Sequence, residues 1–261
     1  MDIMKDRKIT AIISARTGSS RLPNKVLLDI SGKTALERMI ERVKNAKTID
    51  NIIIATSDKN RDDPIEKLCK EINIECIRGS EEDLLSRYQL VNEKVKPDII
   101  GKMGADSILI DPLVIDKVAN TFLNNKYDYV SNYGIPKTYP EGCTVDFFTS
   151  KTLTEAFLEA KKPSEREHIN PYIWNRPEKY RSFRVDYKKD LSKYRLSLDY
   201  YEDFLVIKSI FESLYPKNHN FTLEDIIAWL DSNPKIAKIN SHITPSEGIL
   251  KSFEEDKHAG F

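Results

Sequence analysis

At 261 residues, with 41 Lys plus Arg against 41 Asp plus Glu, the chain can bury a large core and carries no net field selecting nucleic acid or an anionic membrane. No apolar run approaches the roughly 20 residues a bilayer span needs, and Met1-Asp2-Ile3-Met4-Lys5-Asp6-Arg7-Lys8 lacks the apolar core of a signal peptide. Cys69, Cys76 and Cys143 have no metal-ligand spacing, the four histidines form no cluster, and the expected location is the reducing cytoplasm.

The first predicted element is a buried strand over Ile9–Ile13, a β-branched run. A basic loop trails it, Ser14-Ala15-Arg16-Thr17-Gly18-Ser19-Ser20-Arg21-Leu22-Pro23-Asn24-Lys25. Gly18 and Ser19 let backbone N–H groups approach an anion, and Arg16, Arg21 and Lys25 gather three charges. The loop suits a triphosphate, yet no Gly-Lys-Ser/Thr closes it and no helix is expected directly behind it. A capping box of Thr34 and Glu37 opens a helix over Ala35–Lys47, with Leu36, Met39, Ile40 and Val43 on one face. Strands follow at Asn51–Ala55, Ile74–Ile77, Ile99–Met103 and Tyr127–Ser131, alternating with helices at Asp63–Glu71, Glu82–Lys94 and Pro112–Asn124. That rhythm predicts an α/β fold, a mostly parallel sheet flanked by helices, with ligands at the carboxyl ends of its strands.

An excursion near 132–175 holds Pro136, Tyr139, Pro140 and Gly142, and a helix is expected near Leu153–Lys161. A strand near Arg181–Val185 comes next. In the run Tyr194–Asp199, period-2 alternation sets Tyr194, Leu196 and Leu198 against Arg195, Ser197 and Asp199. Two helices close the pattern, one facing inward with Phe204, Ile207, Ile210, Phe211 and Leu214, the other at Leu223–Ser232. The tail from 244 to 261 is polar and either wraps over the body or frays. Without linker or repeat, the expectation is one domain over 1–261.

Asp106 sits just past the Ile99–Met103 strand and Asp199 ends the later run. Two such carboxylates suit Mg2+, which takes few carboxylates plus phosphate oxygens. Each also reads as a turn or cap residue.

The ordered blocks Ala15-Arg16-Thr17-Gly18-Ser19-Ser20-Arg21-Leu22-Pro23-Asn24-Lys25-Val26-Leu27-Leu28, Ala55-Thr56-Ser57, Arg78-Gly79-Ser80-Glu81-Glu82-Asp83-Leu84-Leu85-Ser86-Arg87-Tyr88, Ala105-Asp106-Ser107, Asp128-Tyr129-Val130-Ser131-Asn132, Tyr139-Pro140-Glu141-Gly142, Glu165-Arg166-Glu167-His168-Ile169-Asn170-Pro171-Tyr172 and Arg195-Leu196-Ser197-Leu198-Asp199-Tyr200-Tyr201-Glu202-Asp203 run over nearly the whole chain. Together they resemble the cytidylyltransferases of the spore-coat polysaccharide type, relatives of the KDO (octulosonate) and sialate CMP-sugar synthetases. Departures are Asn24 where that family usually has Gly, Lys102 where it has Arg, Ser107-Ile108 after the first aspartate, and Cys143-Thr144-Val145-Asp146 where an acidic pair usually follows Gly142.

The resemblance implies a Rossmann-like nucleotidyltransferase fold, akin to the glycosyltransferase-A architecture. It implies transfer of CMP from CTP to an acidic sugar or phosphorylated acceptor, for surface glycan synthesis. Ala15, Arg16, Gly18, Ser19, Arg21 and Lys25 would hold the phosphates, Asp106 and Asp199 the Mg2+. Thr56, Ser57, Arg78 and Ser80 would read the base, although Arg78 also reads as a surface residue and Ser80 as a helix cap. Tyr139, Glu141, Asp146, Glu167 and His168 would line the acceptor pocket, with Lys102 and Arg195 anchoring an acceptor anion. Relatives often pair, so a homodimer is expected. The aromatic run Tyr172, Trp174, Tyr180, Phe183 and Tyr187 reads as packing or a subunit contact. Two other readings stay open: a nucleotide-sugar-dependent glycosyltransferase, which normally shows an Asp-x-Asp motif absent here, and a non-catalytic nucleotide-binding partner.

Overall fold

A computed structural model describes residues 7–261, so most of the charged opening segment lies outside the described residues. In chain order the elements are β1 (Ile9–Ser14), α1 (Ala35–Lys44), β2 (Asn51–Ser57), α2 (Asp63–Glu71), β3 (Glu75–Gly79), α3 (Leu84–Val95), β4 (Ile99–Gly104), α4 (Pro112–Leu123) and β5 (Tyr129–Ser131). They continue with β6 (Asp146–Thr149), α5 (Ser150–Glu159), α6 (Pro163–His168), α7 (Asn170–Trp174), β7 (Ser182–Arg184), α8 (Tyr201–Leu214), α9 (Leu223–Ser232), α10 (Pro234–Ala237) and α11 (Glu247–His258).

Seven strands form one sheet in the order β3-β2-β1-β4-β6-β5-β7. β1 runs parallel to both neighbours, with Ile13 beside Ile54 and Met103. β6 is antiparallel to β4 and β5, and β5 and β7 are parallel. Helices cover both faces. Ala11 and Ile13 pack into a layer with α1, α4, α8 and α9, while Ile12 packs into the opposite layer with α3, α5 and α7. That is why β1 reads as an unbroken apolar run.

Local chemistry sets the boundaries. The capping box is formed: the Glu37 N–H donates to Thr34 Oγ1 at 3.2 Å and the Thr34 N–H to Glu37 Oε2 at 2.7 Å. α1 ends at Lys44, not Lys47, because the Asn45 N–H turns back onto the Arg42 and Val43 carbonyls. α3 starts at Leu84 rather than Glu82, with Asp83 as its cap accepting from the Ser86 N–H at 2.9 Å. α5 starts at Ser150, before the expected Leu153, because Thr149 caps it. Directly behind the basic loop, where no helix was expected, Lys25–Leu27 form a single 3-10 turn. Asn24 ahead of it has φ 58°, a left-handed conformation that Gly takes freely and Asn tolerates.

Two larger differences concern the second half. β6 lies inside the expected excursion, with Phe147 and Phe148 facing opposite apolar layers. The Tyr194–Asp199 run forms no named strand, only one bridge between Glu141 and Arg195, yet its alternation holds. Tyr194, Leu196 and Leu198 enter the core and Arg195, Ser197 and Asp199 face a cavity. The tail neither frays nor stays irregular: α11 packs on α6, where Asp256 accepts from the Ser164 N–H (2.9 Å) and hydroxyl (2.6 Å). Among the described residues no helix is long and apolar enough to cross a membrane.

Candidate active site

The carboxyl ends of β1 and β4, the 194–199 run and the first turn of α11 enclose a cavity of about 410 Å³. The loop after β1 reaches it because a buried carboxylate holds its start. Asp62 accepts from the Thr17 N–H (2.7 Å) and hydroxyl (2.6 Å) and from the Ser57 hydroxyl. Burial alone would push Asp62 up, but the hydrogen bonds from Ser57 and Thr17 hold it below the usual carboxylate range. Arg16, Arg21 and Lys25 then line the cavity, as does Ala15, whereas Gly18 and Ser19 do not.

Asp199 is the hub. Its Oδ1 takes Lys25 Nζ at 2.8 Å and Arg21 Nη2 at 3.0 Å, and its Oδ2 takes Arg195 Nη2 at 2.9 Å and the Ser197 hydroxyl at 3.1 Å. Burial opposes ionisation there, but Lys25, Arg21 and Arg195 outweigh it and hold the carboxyl at about 2. Arg195 is itself fixed by the fully buried Asp203, through Nε–Oδ1 at 2.9 Å. Gly142 lets this run lie against the Glu141 backbone: it has φ +84°, and a Cβ there would stand 2.4 Å from the Ser197 nitrogen.

Asp106 lines the same cavity, tied to the run by the Leu198 N–H donating to its carbonyl at 2.9 Å. Its carboxylate fits beside Gly104, where a Cβ would lie 2.6 Å from Oδ1. Burial raises its pKa, Lys25 opposes, and the Asp199 and Glu141 charges add to the rise. A carboxyl destabilised in this way beside an ionised partner suits a divalent cation. Among the described residues no set of three His, Cys, Asp or Glu side chains forms a metal cage, so phosphate oxygens would have to complete the shell.

Lys102, Glu141, Glu167 and His168 also line the cavity. Lys102 is paired with buried Asp146 at 3.2 Å. Asp146 does not line the cavity; it also accepts from the Tyr129 hydroxyl and Asn170 Nδ2, as a structural anchor. Burial pushes the His168 imidazole below its ordinary value, Glu167 opposes this, and Lys102 adds to it. Ile169 between His168 and Asn170 sits at φ 68°, ψ −55°, strained for a β-branched residue, and both its neighbours reach the cavity.

Besides Gly18, Ser19 and Asp146, five expected site residues are placed elsewhere. Tyr139 is buried against Lys117. Arg78 is held by Asp63 (2.6 Å) and Glu66 (2.8 Å) and donates to the Ser57 and Lys59 carbonyls, away from the cavity. Ser80 Oγ accepts from the Asp83 N–H ahead of α3. Thr56 and Ser57 are fully buried beneath the loop. Conversely, Arg87 lines the cavity from α3, nearly buried, with a burial-depressed pKa and, among the described residues, no partner for its Nε. Trp174, expected as packing, stacks on Tyr133 at 5.4 Å in the cavity wall, while Tyr172 and Tyr180 do pack together. Thr244, Ser246, Glu247, Gly248 and Ile249 complete the wall. A loop-borne Arg is visible in sequence; Arg87 falls near the end of the block that starts at Arg78 but carries no assigned role there, and a C-terminal Glu247 looks like any solvated charge.

Comparison with known proteins gives four matches. Residues 10–227 match the family described as cytidylyltransferase. The chain is 36% identical over 241 residues to an uncharacterized protein of Methanocaldococcus jannaschii, covering 90% of this chain and 96% of that one. It is 31% identical over 236 residues to the spore coat polysaccharide biosynthesis protein SpsF of Bacillus subtilis, covering 88% and 96%. A solved cytidylyltransferase from Leptospira borgpetersenii superposes with a TM-score of 0.84 at 32% identity, covering 91% of this chain and 98% of that one.

Proposed function

The chain belongs to the cytidylyltransferase family, CTP-dependent nucleotidyltransferases, and we propose that it moves CMP from CTP onto an acidic or phosphorylated sugar, releasing pyrophosphate, to make a surface-glycan precursor. The observation that carries this reading is the shared grip of Arg21, Lys25 and Arg195 on Asp199, beside Asp106, in one cavity. It sets anion-binding cations against the two carboxylates that suit a metal ion.

An acceptor oxygen attacks the α-phosphorus in line. The new O–P bond forms as the bond to the β-phosphate oxygen breaks, and pyrophosphate leaves with its electron pair. Arg16, Arg21 and Lys25 hold the β- and γ-phosphates and neutralise the departing charge. Mg2+ held by Asp106 and Asp199 would screen the phosphate oxygens and orient them. A hydroxyl acceptor gives its proton to the neutral His168 imidazole; an ionised phosphate has none to lose. Lys102, with Glu141 and Glu167, frames the acceptor half.

The test is pyrophosphate release across nucleoside triphosphates crossed with acidic sugars, sugar phosphates and polyol phosphates. Release with CTP and one such class supports the reading; a preference for UTP or GTP, or turnover only with neutral sugars, overturns it. The same reading includes a homodimer, with the exposed Phe183 on edge strand β7 available as a contact; light scattering checks it.

A further inference from the structure

Resting on that reading, we infer that Glu247 holds the face of Arg21 that the triphosphate tail takes, so that the tip of α11 is a strap CTP must displace. The strap lies beyond residue 227, where the family match ends. Arg21 Nη1 donates to Glu247 Oε2 at 3.2 Å while Nη2 donates to Asp199 at 3.0 Å. The Tyr200 hydroxyl donates to the same Glu247 oxygen at 2.6 Å, and the guanidinium lies over the Tyr200 ring, 5.2 Å from its centroid. A carboxylate presents Arg with nearly the oxygen pattern of a phosphate, so the two compete for one fork.

The two ends of the helix are held differently. Arg21 and Glu247 are each about one-third exposed (34% and 35%), a pair that water and salt loosen. Farther along, Asp256 and Ser164 bond each other in the interior, and the Ser252 hydroxyl bridges Glu167 (2.5 Å) and His168 (3.0 Å). The base of α11 is therefore anchored on α6, and at the tip the Ser246 N–H donates to Glu141 Oε1 (3.2 Å) while its hydroxyl accepts from Lys137 Nζ (2.6 Å), so the exchangeable contact is the Glu247 side chain itself.

The experiment is calorimetric titration of CTP with Mg2+ and no acceptor, into wild type, Glu247→Gln and Glu247→Ala. Both variants change a surface carboxylate, and their melting curves confirm folding. The variants are expected to bind CTP about 2- to 5-fold tighter, the range an exposed ion pair supplies. In wild type, CTP should speed amide exchange at 247–250 and leave 252–258 unchanged. Equal or weaker binding by both variants, or slower exchange at the tip, overturns the strap and leaves nucleotidyl transfer standing. A wild type that binds no CTP overturns both.

Discussion

Asp106 and Asp199 face one cavity and are pushed in opposite directions: burial raises Asp106, whereas three cations hold Asp199 at about 2. Their neutral isosteres should therefore differ in stability. Asp199→Asn strips Arg21, Lys25 and Arg195 of their common anion and should lower stability by on the order of 2 kcal/mol at neutral pH. Asp106→Asn removes a repelled charge and should leave the melting temperature unchanged or raised. Both should lose turnover by orders of magnitude, and melting curves without Mg2+ beside pyrophosphate-release rates check the pair. The sign carries to pH. Asp199 is depressed in the folded state, so its contribution is full above the ordinary Asp value and is lost as pH falls through about 2. Asp106 is raised, so it takes up its proton first on acidification. The apparent affinity for Mg2+ should then decline while Asp199 is still ionised, which a metal titration at several pH values measures.

At the level of elements, Gly142 is the position where the backbone tolerates nothing larger. Gly142→Ala drives a methyl into the Leu196–Ser197 backbone, at a cost of roughly 1–3 kcal/mol from overpacking plus the strain of φ +84°. Because that run carries Arg195 and Asp199, kcat/KM should fall with the denaturation midpoint. Elements with local chemistry of their own were legible: Thr34 with Glu37 announces α1, and Ile9–Ile13 announces β1. β6 was not, since it is four residues long, opens on Asp146, and its Phe147 and Phe148 serve opposite layers. Asp62 was equally hidden, because its bond to Thr17 joins residues 45 apart. Motif order is the sequence signal that singles out the cationic loop and both aspartates, which the fold brings to one cavity. Arg78, expected on the base side, is held by Asp63 and Glu66, a pairing visible only in three dimensions.

Across the whole molecule the formal charge balances at zero, so no long-range field draws in a polyanion and its contacts would be local ones with the cations of the basic loop. CTP binding should weaken several-fold between 50 and 500 mM salt by calorimetry, through screening of the partly exposed Arg16 and Arg21. The chain has two tryptophans, and they lie in different surroundings: Trp229 packs against the apolar layer beneath α9, while Trp174 stacks on Tyr133 in the cavity wall. Replacing Trp229 with Phe would leave a single indole whose emission reports directly on occupancy. Quenching or a wavelength shift on adding an acceptor, with CTP alone silent, would assign that indole to the sugar half and turn intrinsic fluorescence into a label-free screen for the second substrate.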